Sequence, residues 1–146
     1  MEQENNTMTR RAKVAWLGWY RYAVKQNWQL HERLVELRSV ATHTTRPLHR
    51  AAGGRTGGLP AAAERCMHAE ADLRAAQQQA AEIRQEIEDV IATLPSTTDI
   101  AILYQRYIEG KKWEDIAVAM HYDARWVHRR HDRAVDQMQI GHGTPC

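Results

Sequence analysis

The sequence predicts an all-α fold: a long antiparallel helical hairpin of coiled-coil character, followed by a C-terminal helix-turn-helix domain. Three observations carry that expectation. Apolar residues recur by threes and fours through two separate stretches, the period of one face of a helix. Between them lies a segment rich in glycine and proline, which breaks helices. After the second stretch, new capping signals open a short module whose apolar spacing suits two helices that cross closely. No segment alternates in the manner of a half-buried strand.

Residues 1–8 are expected to be disordered, and residues 9–94 to form the hairpin, with its loop at 42–60. From about Thr9 to Ala41 the seam runs Trp16, Tyr20, Ala23, Asn27, Leu30, Leu34, Leu37, Ala41. This predicts one long helix with a single polar residue, Asn27, inside its apolar stripe. Asn27 either sets the register at a cost in stability or lies partly exposed near an open end. Thr42 to Pro60 contains Arg46-Pro47 and the glycine pairs at 53–54 and 57–58, a loop or flexible linker. Pro60 suits the first turn of the next helix, where its missing N–H costs nothing. From Ala61 to Leu94 a second seam follows: Cys66, Ala69, Leu73, Ala76, Ala80, Ile83, Ile87, Val90, Leu94. The pattern fits pairing within the chain or between two copies, so a homodimer stays open.

Residues 95–140 make up the expected helix-turn-helix domain, and 141–146 a frayed tail. Pro95 and Ser96 end the second long helix, and Ser96-Thr-Thr-Asp99 reads as a capping box for the next. That helix carries Ile100, Leu103, Tyr104, Tyr107 and Ile108, and Gly110 stops it. A short helix follows over Trp113–Met120, with Glu114 and Asp115 near its positive end. Asp123 is placed to cap a last helix from about Ala124 to Ile140.

Composition bounds the function. Of the 146 residues, 43% are apolar and 26% charged, a globular balance. No apolar run approaches the roughly 20 residues that span a bilayer, so no membrane partner is expected. The first residues lack the basic-then-apolar order of a secretory signal. Cys66 and Cys146 are too few for a disulfide framework or a four-ligand zinc site, which points to a reducing cytosol. Cys66, on a seam, reads as a small core residue. His128 and His131 have a spacing that can hold a metal, but no further ligand cluster accompanies them. No phosphate loop, catalytic triad or carboxylate pair stands in a recognisable frame, so neither an enzyme nor a cofactor is expected.

The net charge of +2 hides three blocks. Residues 1–60 hold ten Lys/Arg against four Asp/Glu, residues 61–94 three against seven, and residues 95–146 seven of each. A basic first helix facing an acidic second favours their pairing. In the neutral last third, Ala124–Val135 still concentrates four arginines against one aspartate.

Counted from Trp113, the spacing of residues 113–132 is that of a helix-turn-helix. Its shared core would be Ile116, Ala117, Met120, Tyr122 and Val127, with Ala117 small because the second helix passes over it. Two positions depart from the pattern. The turn residue is His121 where glycine is usual, a place that needs positive φ. Arg130 stands where an apolar residue is usual, and can bury its stem with its head in water. The outward positions of the second helix are Asp123, Ala124, Arg125, His128, Arg129 and Asp132. If the helix docks in a major groove, Ala124, Arg125, His128, Arg129 and Asp132 are the candidates to meet base edges. Arg125 or Arg129 has the fork geometry to grip a guanine edge. Lys111, Lys112 and Arg133 would lie nearer phosphates and set register. The plain alternative for these arginines is the solvated face of a surface helix; the spacing that independently nominates this helix favours contact with double-stranded DNA.

Leu103-Tyr-Gln-Arg-Tyr-Ile-Glu-Gly110, Trp113-Glu-Asp-Ile-Ala117, Met120-His-Tyr-Asp123, Val127 and Arg133-Ala134 resemble region 4 of sigma factors. The layout is more similar still to the small phage and prophage regulators of late transcription, the RinA/ArpU-like group. The resemblance covers residues 95–138 in detail and residues 9–94 in architecture only. It implies a sequence-specific transcription regulator acting with host RNA polymerase in the bacterial cytosol. Two other classes stay open: a DNA-packaging subunit of small-terminase type, and a helical protein-interaction module without DNA binding. The aromatic and basic start of the first helix, Arg10–Tyr22, reads either as a second nucleic-acid surface or as a hydrophobic cluster with snorkelling cations. The cluster reading is preferred for the seam residues Trp16 and Tyr20; Trp19, Tyr22 and Trp28 lie off the seam and are candidates to dock the C-terminal module or a partner.

Overall fold

A computed structural model of the chain describes residues 8–44 and 59–141. Residues 1–7 of the expected disordered start, 45–58 of the expected loop and 142–146 of the expected tail lie outside the described residues. Met8, expected in the disordered start, packs against the main core, and the described ends of the expected loop, 42–44 and 59–60, are helical. Those described form helices and connecting turns without a strand. The helices are α1 (Arg10–Leu17), α2 (Trp19–Thr44), α3 (Leu59–Ala92), α4 (Thr97–Leu103), α5 (Trp113–Met120) and α6 (Ala124–Gln137). A π-helical segment, Tyr104–Ile108, extends α4.

The first predicted helix is divided at Gly18. Hydrogen bonding continues through the bend, from Gly18 N–H to Val14 O and from Tyr22 N–H to Gly18 O. Glycine is a usual place for a helix to bend, because its backbone is the least restricted. Thr9 caps α1 by accepting a hydrogen bond from the Ala12 N–H at 3.2 Å. Pro60 lies in the first turn of α3, where its sequence placed it.

Packing divides the chain into two units, Met1–Tyr22 with Glu82–Cys146, and Ala23–Ala81. In the second, α2 and α3 pair antiparallel through the predicted seams. Leu34, Leu73 and Ala80 are buried, and Leu30, Leu37, Cys66, Ala69 and Ala76 are half-buried. Arg38 of α2 donates to Glu70 of α3 at 2.8 Å, an ion pair of the sense the charge blocks imply. Asn27 lies on the stripe with its Oδ1 buried and no hydrogen-bond partner among the described residues.

The first unit joins both ends of the described chain. Trp16 and Leu17 of α1 pack with Ile87, Ile91 and Leu94, with Leu103, Tyr107 and Ile108, and with Ala134, Val135 and Met138. The division expected at residue 94 therefore does not match the packing. The last turns of α3 and all of α1 belong to the core beneath the C-terminal helices, because α6 presents Ala134 and Val135 to them.

Two further boundaries differ from expectation. The helix after Ser96 turns π-helical at Tyr104, with Glu109 N–H bonded to Tyr104 O, five residues back. The extra residue lets Ile102 face α5 and α6 while Tyr107 and Ile108 face the larger core. The last helix ends at Gln137 rather than Ile140. Buried Lys13 of α1 donates to Met138 O at 2.7 Å and Asp136 O at 3.2 Å. Those carbonyls are satisfied without further helical turns, a cationic cap at the negative end of α6.

Candidate functional site

The site begins with the angle between α5 and α6. His121 takes φ 61° and ψ 36°, the left-handed conformation expected at the turn. Its N–H bonds to Val118 O and the Tyr122 N–H to Ala117 O, so α5 closes and the chain reverses. Ile116, Ala117 and Val127 are buried with Ile102 in a small core of their own, and Trp113, Met120, Ala124 and Trp126 pack around it. Ala117 is small where α6 crosses, as its place in the spacing requires.

Tyr122 is a correction. It is 47% exposed and its ring stacks on Trp126 at 3.9 Å between centroids, outside the small core. The left-handed turn aims the next side chain outward, and Ile102 from α4 contributes to the core in its stead. Asp123 occupies the cap position of α6 without a capping hydrogen bond from its side chain, a second departure from expectation.

Arg130, the apparent misfit, is held by the capping box. Ser96 Oγ accepts from the Asp99 N–H at 3.4 Å, capping α4. Arg130 Nε donates to Asp99 Oδ1 at 2.8 Å, and Arg130 Nη2 to Ser96 Oγ at 3.0 Å. Its guanidinium also lies 5.4 Å from the Trp126 ring centre. An apolar contact between helices is thus replaced by a charge-assisted one.

The four arginines of α6 divide by role. Arg130 is tied to α4, while Arg125, Arg129 and Arg133 are exposed and form no ion pair among the described residues. With exposed His128 they make a basic face along α6, Arg125 and Arg129 on its first turns and Arg133 farther along. His128 lies against Trp113, ring centres 4.1 Å apart, and Arg106 covers Trp113 at 4.6 Å. Three other sequence candidates are placed differently. Ala124 packs partly inward on the small core. Asp132 accepts from His131 at 3.0 Å and stands 3.7 Å from Arg10, so it faces α1. Lys111 pairs with Glu109 at 3.0 Å and donates to Gln105, whereas Lys112 is exposed and unpaired among the described residues.

Sequence reasoning missed the anchors beneath this face. Arg10 binds Asp136 through two hydrogen bonds, which holds the Asp136 carboxyl below its usual range and raises the guanidinium. His131 is buried between Tyr107 Oη, 2.6 Å from Nε2, and Asp132. A carboxylate only accepts, so Nδ1–H donates to Asp132 and Nε2 accepts from the Tyr107 hydroxyl. Burial lowers the His131 pKa against the opposing pull of Asp132, and pushes Tyr107 up to about 12. Lys13 was legible in principle, since it stands three residues before Trp16 on the same stripe.

The arrangement offers planar guanidinium forks on a rigidly mounted helix, suited to paired acceptors on a base edge or to phosphate oxygens. Among the described residues no helix is long and apolar enough to cross a membrane. No family model, curated protein or solved structure matches this chain.

Proposed function

We propose that this chain is a sequence-specific DNA-binding transcription regulator of phage or prophage type, using α5 and α6 in the manner of sigma region 4. One observation carries the reading. Arg125, Arg129 and Arg133 stand exposed and unpaired on the helix that a left-handed turn and a dedicated small core hold across α5. Arg125 and Arg129 lie on the first turns of α6, where a recognition helix meets base edges. Arg133, farther along, suits a phosphate, as does Lys112. The hairpin, with exposed Trp28, Val35 and Met67, is the part left for a protein partner, and host RNA polymerase is the one the sigma resemblance names. On this reading the protein works in the bacterial host cytosol.

Selection of bound fragments from a random duplex pool tests the proposal. A recovered motif whose recognition is lost in R125A/R129A, with a reduced salt slope, is the expected result. Failure to bind any duplex at low salt would overturn it and leave the protein-interaction module. Binding by a closed ring of subunits, seen as mass in solution, would favour DNA packaging instead.

A further inference from the structure

The basic face of α6 continues onto a cation from the other end of the chain. His128 rests on Trp113, the first residue of α5, and exposed Lys112 immediately precedes it. Arg106 holds this junction from beneath, covering the Trp113 ring and donating to Lys111 O at 3.0 Å. Two residues before Lys112, Gly110 turns the chain with φ +70°. Against that glycine lies the guanidinium of Arg21, from the start of α2; a Cβ on Gly110 would collide with its Cζ, Nη2 and Nε.

Arg21 is therefore brought to the same edge as Lys112, although 91 positions separate them in the chain. Neither has a carboxylate partner among the described residues, in contrast to the neighbouring Lys111, which pairs with Glu109. Arg21 is exposed as a residue while its guanidinium packs on the bare backbone turn, and glycine is what permits so close an approach.

We propose that Arg21 and Lys112 together grip the phosphate backbone of the duplex whose groove α6 enters, so that the DNA footprint extends onto the N-terminal helical segment. The proposal rests on the DNA-binding reading above. It assigns these two residues a positioning role: they set the register of α6 on the duplex without reading sequence.

The test is fluorescence anisotropy of the full chain with a labelled random-sequence duplex over a range of salt, comparing R21Q, R21K, K112Q and R125A/R129A. Because Arg21 and Lys112 are exposed and form no ion pair, thermal unfolding of their variants should match the parent. The slope of log affinity against log salt should fall by about 0.9 for R21Q and again for K112Q, one phosphate contact each. R21K should keep the slope, and the motif recovered from a duplex pool should be the same for R21Q as for the parent. If R125A/R129A weakens binding while R21Q and K112Q leave the slope unchanged, the phosphate grip is overturned and the DNA-binding reading survives. A changed motif with R21Q would also overturn it, since a backbone contact carries no sequence preference. No binding by the parent at low salt would overturn both.

Discussion

At position 130 a charged side chain occupies a place where crossing helices usually share an apolar one, and its partners explain why the substitution is tolerated. Asp99 is buried, with a side chain 9% exposed, and Arg130 supplies its counter-charge. Removing the arginine would leave a buried carboxylate without its ion pair, which costs more than the lost contact alone. Arg130→Ala is expected to destabilise the protein by about 1.5–3 kcal/mol, in the range of a hydrogen bond to a charged group. Chemical denaturation checks the size, and a cycle with D99N separates the pair from the packing of the stem. Additive effects of the two substitutions would show that Asp99 and Arg130 do not depend on each other. The sequence raised the question at this residue without answering it: a departure from the apolar pattern is visible in one dimension, its partner 31 positions away is not.

Among the elements, the contact between the π-helical segment and α6 is expected to weaken in acid. His131 is held neutral there, facing Tyr107 and Arg106 from the π segment and the α5 residue Trp113. His128 and Asp132 from α6 itself complete its surroundings, with Arg10 of α1 on the far side of Asp132. Its folded pKa lies below the ordinary 6.5, so the unfolded chain binds the proton more readily. The stability this site contributes is therefore present above pH 6.5 and is lost as pH falls toward the folded value. The melting temperature is expected to drop between pH 7.5 and 5.5, and the slope to flatten in H131Q. An unchanged slope in that variant would place the titration elsewhere. Asp136 moves stability in the same sense in the lower carboxylate range, because Arg10 depresses its pKa, so the two windows separate. The element boundaries follow from similar tertiary contacts. The end of α6 is decided by Lys13 and the π segment by the need to serve two cores, and neither cause lies within the helix concerned.

For the molecule as a whole, the expected C-terminal domain draws on residues from both halves of the chain for its core. Leu17 and Ile91 are almost fully buried and pack with Leu103, Val135 and Met138. Leu17→Ala is expected to cost about 2–5 kcal/mol, the range for a large-to-small change at a closed site. A fragment beginning at Pro95 lacks Trp16, Leu17, Ile87, Ile91 and Leu94 together. It is expected to lose cooperative thermal unfolding by circular dichroism, while the full chain keeps it. A cooperative melt from the fragment would show that the small core of Ile102, Ile116, Ala117 and Val127 suffices alone.

The helical class, both seams, the capped start at Ser96 and the left-handed turn at His121 were determined by the sequence itself. Each depends on the period of a helix or on the conformation one residue tolerates, and those are local properties. The buried positions Ile116, Ala117 and Val127 were legible for the same reason, as was the concentration of arginines on α6. Tyr122 and Ala124 were misplaced because the direction of a side chain near a turn depends on what packs against it, and Asp132 because Arg10 of α1 comes up beside it. Only tertiary structure decided that Arg130 belongs to Asp99, that Lys13 closes α6, and that Arg21 lies on Gly110. Those contacts join residues far apart in the chain, and a charged side chain gives no periodic sign of the partner that will neutralise it. The sequence thus marked the basic helix, and the fold selected which of its charges remain unpaired.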